Sequence, residues 1–162
     1  MKITSLTLLT FALVTSCAHT PSNATASRSQ QLASESATAL NAEDYSQAQS
    51  LAAQATSIDP QFAEAWVGYG MASVRLGQTD RARDAYEHAL SLHQARHRAN
   101  PADANQVFQQ IFVLALLGRS DEAATLLKQA EIEYPNDKQI SKLAENFNET
   151  KQGWASWSVG AK

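Results

Sequence analysis

Few residues in this chain have types and spacings that could do chemistry. Cys17 is the single cysteine, so an internal disulfide, a CxxC redox pair and a Cys-rich zinc site are all excluded. His93 and His97 stand four apart with His88 upstream, and two imidazoles at that helical spacing can share a metal ion. No acidic residue or Cys accompanies them on that face, and Arg96 and Arg98 would repel a cation. They read as a solvated polar face, with no metal expected. The acidic residues are scattered, with no pair placed for acid–base work. G-x-x-x-x-G-K-[ST], G-x-S-x-G and H-E-x-x-H are absent. The chain is therefore not read as an enzyme, and neither a cofactor nor a small-molecule substrate is expected. Its 13 basic against 16 acidic residues also argue against a nucleic-acid partner, which calls for a basic excess.

Cys17 takes its meaning from what precedes it. Met1-Lys2 is a short positive start, and Ile3 to Val14 is an apolar run broken only by Thr and Ser. Such a run spans about 18 Å as a helix, against a hydrocarbon core of about 30 Å, so it is too short to cross a membrane. Small residues follow it, which completes the pattern of a secretory signal peptide. Val14-Thr15-Ser16-Cys17 resembles the lipobox of bacterial lipoproteins, in which an aliphatic and two small residues precede an obligatory Cys. The resemblance implies cleavage after residue 16 and acylation of Cys17, with palmitate among the acyl chains. Two or more chains give stable anchoring. In that family an Asp after the Cys favours inner-membrane retention. Ala18 stands there, so the expected location is the bacterial outer membrane, facing the periplasm. From Ala18 to Ser29 there is neither a large apolar residue nor a periodicity. Residues 17–29 are read as the lipidated Cys and a flexible tether.

The body of the chain repeats. Ala48, Ala82 and Ala123 are 34 and 41 residues apart, and Ala55, Ala89 and Ala130 show the same two spacings. Gly77 and Gly118 are 41 apart, and Pro60 and Pro135 are 75 apart. One phase thus runs through three copies, with seven extra residues in the second. A 34-residue period with small residues at fixed sites resembles the tetratricopeptide repeat, a helix–turn–helix unit. Copy two carries it best, with Trp66, Gly70, Gly77, Ala82, Tyr86 and Ala89. In copy three Ile111 stands where Gly is usual, and in copy one Ser36 does. The implied fold is all-α, an antiparallel helix-pair solenoid of about three units over residues 30–136, divided near 30–62, 63–103 and 104–136. Residues 137–162 form a capping helix and tail.

Local signals agree. Ser120 can cap a helix carrying Asp121 and Glu122 in its first turn. The insertion in copy two is expected to lengthen its second helix by about two turns, ending at Asn100-Pro101. That extension is expected to project beyond the stack with His93, Arg96 and His97 solvated. Asn136 or Asp137 can cap a last helix bearing Ile140, Leu143 and Phe147 on one stripe. The tail from Gly153, with Trp154 and Trp157, is read as non-helical.

Repeat stacks of this family present a concave groove lined by the first helix of each pair. The resemblance assigns to it Glu64, Val67, Met71, Val74 and Arg75 from copy two, and Asn105, Phe108, Phe112 and Ala115 from copy three. Copy one supplies Ala33, Ala37, Leu40 and Asn41. This is an apolar floor with few charges, suited to an amphipathic helix or an extended apolar peptide. The alternative is a floor covered by the chain's own tail or by a second copy. The implied function is a lipid-anchored envelope scaffold that binds a protein or peptide. By analogy of fold and location it resembles the pilotins, which aid assembly of a pilus or secretin. A constitutive structural subunit of an envelope complex, with no transient client, is the other reading.

Overall fold

The computed structural model describes residues 23–160; the signal peptide, Cys17 and the start of the expected tether lie outside them. Seven helices follow one another: α1 (Asn23–Asn41), α2 (Tyr45–Ile58), α3 (Ala63–Arg75), α4 (Thr79–Ala99), α5 (Ala104–Leu116), α6 (Ser120–Glu133) and α7 (Lys138–Ala155). No strand occurs among the described residues. The helices pair as α1/α2, α3/α4 and α5/α6, each pair packs on the next, and α7 closes the stack against α5 and α6. The all-α helix-pair solenoid with a capping helix is thus the architecture of the chain.

The second helix of each pair approaches the first through alanine. Ala48, Ala55, Ala82, Ala89, Ala123 and Ala130, the positions that carry the 34- and 41-residue spacings, are all buried, as is Ala52. The closest approach is at Gly70. A Cβ there would overlap the ring of Tyr86, which is fully buried. The turn within each pair is closed by one geometry. Gly77 (φ 72°) and Gly118 (φ 76°) adopt the left-handed conformation. The next N–H then reaches back to the helix, Gln78 to the Ser73 carbonyl and Arg119 to the Leu114 carbonyl, each at 2.8 Å. Glu43 holds the same conformation in the first pair (φ 60°), with the Asp44 N–H on the Ala39 carbonyl at 2.9 Å.

Four expectations need correction. Residues 23–29 are not tether but the first turns of α1. Ser29, Leu32, Ser36, Ala39 and Leu40 are buried at helical spacing, and the Ser29 hydroxyl donates to the Ala26 carbonyl at 3.0 Å. A small polar residue packs where a large apolar one was sought. Ser120 is the first residue of α6 and not its cap; Arg119 caps without a side-chain bond. Asp137 does cap α7, accepting from the Gln139 and Ile140 N–H groups. Finally, the extension of α4 does not project. His93 is fully buried, and Arg96 and His97 are half-buried. Seven residues make nearly two turns, so His93 returns to the face of Tyr86 and Ala89 and packs beneath α5. α7 also runs two residues further than expected, to Ala155, with a break from helical geometry at Asn146.

Two substitutions test this packing by chemical denaturation. Glu43→Gly should raise stability by roughly 0.5–1 kcal/mol, the relief of a left-handed non-glycine residue less the added freedom of the unfolded chain. Gly70→Ala should lower it by about 1–3 kcal/mol through overpacking against Tyr86. Unchanged midpoints in both would mean that neither position sets the helix approach.

Candidate functional site

The groove residues assigned from the sequence fall into two environments. Glu64, Val67 and Met71 of α3 join Ala33, Ala37 and Leu40 of α1 around a cleft of about 290 Å³, closed on one side by Trp157. Val67 is buried and Met71 half-buried, whereas Glu64 and Ala37 are exposed. The floor is apolar and the charge sits at its edge. Glu64 also lies 3.5 Å from Arg96, and Arg96 donates to the Gln61 carbonyl at 2.5 Å. The end of α4 therefore braces the start of α3.

Phe108, Phe112 and Val74 among the other assigned residues are partly covered by the chain itself. Phe108 lines a separate cavity of about 240 Å³ whose remaining wall is α7, from Gln139 to Thr150. The Phe112 ring meets Trp154 edge-on, centroids 4.9 Å apart. Val74 is half-buried against the main core, and Asn105 is exposed at the start of α5. Arg75 sits between two rings, 4.9 Å from Tyr45 and 5.0 Å from Trp157, and donates to the Tyr45 hydroxyl at 2.7 Å. Of the two readings of the floor, the C-terminal tail covers the half nearest α5 and leaves the half between α1 and α3 open.

The tail is held through its backbone. The Tyr86 hydroxyl donates to the Trp157 carbonyl at 2.7 Å, and the Val159 N–H donates to the Leu116 carbonyl at 2.9 Å. Burial pushes the Tyr86 hydroxyl well above the usual phenol range, so it remains a donor at every physiological pH. The sequence signal for this arrangement was the pair Trp154 and Trp157 in a stretch without charge from Gly153 to Gly160.

The histidines have a structural role that sequence reasoning missed. Asp103 caps α5 through the Asn105 N–H at 3.1 Å and accepts from the Gln106 amide nitrogen at 3.1 Å. That turns the Gln106 oxygen toward His93, whose Nδ1 lies 3.0 Å away and must carry the proton. The capped start of α5 is thereby tied to the extension of α4. Burial lowers the His93 pKa below its usual value, the bond to Gln106 opposing. The His88 ring instead lies tilted against that of Trp66, centroids 4.5 Å apart. Among the described residues no group of three His, Cys, Asp or Glu is placed to hold a metal, and no helix is long and apolar enough to cross a membrane.

The tetratricopeptide repeat family model matches residues 39–105, from the end of α1 to the start of α5, and that repeat is a protein-interaction fold. A solved chain of the CopN-Scc3 complex aligns over 75% of this chain and 68% of its own, with 16% identity and a TM-score of 0.49. No curated protein matches the chain.

The depressed His93 pKa sets a pH dependence. The unfolded imidazole binds a proton near pH 6.5, whereas the folded one stays neutral to lower pH. Stability is therefore full above about pH 6.5 and falls as the pH drops from there through the folded value. Urea unfolding at pH 7.5 and pH 5 should show this loss, and His93→Gln should cut it by at least half. An equal loss in the variant would assign it elsewhere.

Proposed function

We propose that this chain is a lipid-anchored scaffold of the bacterial envelope that holds a protein or peptide segment in the cleft between α1 and α3. The observation that carries the binding reading is the open apolar cleft around Ala33, Ala37, Leu40, Val67 and Met71. It is built by first helices of a tetratricopeptide stack, the face with which such repeats bind partners. Its few charges favour an apolar segment. Anchoring rests on Val14-Thr15-Ser16-Cys17 behind a short apolar run, which supports an acylated Cys17 and, with Ala18 after it, an outer-membrane location facing the periplasm. An envelope assembly such as a pilus or secretin is the natural setting for a scaffold of that kind, as in the pilotins.

Two measurements test the two halves of this reading. Mass spectrometry of the mature N-terminus should find acylated Cys17, and Cys17→Ser should leave an unprocessed precursor. An unmodified terminus elsewhere would remove the anchor. Ala37→Glu places a carboxylate on the exposed wall of the cleft, facing Glu64, without disturbing the core. It should leave the unfolding midpoint unchanged and reduce recovery of the envelope partner at least tenfold. Undiminished recovery would move the binding surface to another face. A partner that never dissociates under any condition would favour a constitutive structural subunit.

A further inference from the structure

The tail is bonded in a way that other segments could copy. Its two fixed hydrogen bonds use only backbone groups, the Trp157 carbonyl and the Val159 N–H. Its side-chain contacts are ring contacts, Trp154 on Phe112 and Trp157 on Tyr45 and Arg75, together with apolar packing of both tryptophans and Val159 on the core. No ion pair fixes it among the described residues. Both tryptophans and Val159 are half-buried and only Ser158 of the tail is buried, in contrast to the buried Ile140 and Leu143 that dock the first part of α7. Between those two anchorages lies the break at Asn146, where φ is −118° and ψ 17°. The cleft beside Trp157 is not filled, so the tail satisfies the groove only in part.

We propose that residues 154–159 are a displaceable internal ligand, and that the external segment admitted by this groove carries two aromatic side chains three residues apart in an uncharged stretch. The proposal rests on the reading of this face as a binding surface and names its selectivity. Tyr86 and Leu116 supply one donor and one acceptor to any backbone, as in recognition modes that take affinity from the main chain. Phe112, Tyr45 and Arg75 supply flat and cationic surfaces that select aromatic groups. An incoming segment competes with the tail, so its apparent affinity is reduced by the fraction of molecules whose tail is released. Phe147 and the buried Ile140 and Leu143 of α7 dock that helix independently of the tail, and an incoming backbone carbonyl takes over the Tyr86 hydroxyl that release of the tail leaves without its acceptor.

The test uses the full chain in detergent and a fluorescent peptide of residues 148–162, read by anisotropy. The double variant Trp154→Ala/Trp157→Ala should bind this peptide at least tenfold more tightly than the parent. Trp157→Ala alone should show a smaller gain. A peptide with both tryptophans replaced by alanine should bind neither. Equal binding to parent and variant, or binding to none, overturns the proposal. So does a variant that loses its helical circular dichroism, because the tail would then be part of the core. So does a variant that dimerises by size exclusion, because the occupant would then be a second copy. Peptide binding by a variant whose purified form recovers no envelope partner upholds the internal ligand and defeats the scaffold reading, so the two can fail separately.

Discussion

The ring of Tyr86 lies where only a glycine can face it. Gly70 lacks the Cβ that would enter that ring, and this lets α3 and α4 close on a large, fully buried aromatic. A buried phenol needs a partner for its hydroxyl, since leaving the group unsatisfied costs about 1–3 kcal/mol. No atom of α3 or α4 provides it. The partner is the carbonyl of Trp157, on the tail. One close approach in the second pair therefore determines where the far end of the chain must lie.

The same two places are solved differently in the other pairs. Thirty-four residues earlier they hold Ser36 and Ala52, and forty-one later Ile111 and Leu127. All four are buried. Where the first-helix residue is large, the second-helix residue is no longer aromatic; where the second is tyrosine, the first has no side chain. Close packing constrains their combined volume and leaves each identity free. In the first pair both are small, and the Ser36 hydroxyl satisfies itself on the Ala48 carbonyl at 2.8 Å. Neither of the outer pairs offers a buried hydroxyl to a distant strand of chain, so only the central pair can hold the tail in this way.

Much of this was legible in the residues, for reasons that differ by element. The alanines at 48, 82 and 123 and the glycines at 77 and 118 report backbone geometry, which a residue type reveals directly. Glu43 hides the same left-handed turn, because nothing but its position 34 residues before Gly77 marks it. The start of α1 was missed because it packs through Ser29, a polar type that carries no hydrophobic periodicity. His93 was read as solvated because its acceptor, Gln106, lies on the next helix. A one-helix reading shows which residues share a face, not what covers that face. The groove residues divide for the same reason: Val67 and Met71 line the cleft that stays open, whereas Phe108 and Phe112 meet an element that joins the stack only at its end.

The core is also uneven along the stack. From α3 to α7 it forms one cluster containing Tyr86, Ile111, Leu114, Leu116 and Ile140. The joint of α1 and α2 with α3 rests on two small clusters, made largely of alanine with Leu32 and Leu40. Alanine contributes far less burial than leucine or isoleucine, so this joint is held by less apolar burial than the cluster from α3 to α7. The open cleft has its walls on this joint. Trp157 packs against both the large cluster and the small one around Ala39, Leu40 and Ala48, and is the largest side chain to span them. Its position thus couples two properties: it caps the cleft and braces the first helix pair. Any segment that takes its place must either supply an aromatic group that spans the same two clusters or leave α1 less firmly held. Occupancy of the groove and the mobility of the helix nearest in sequence to Cys17 are consequently linked through a single indole.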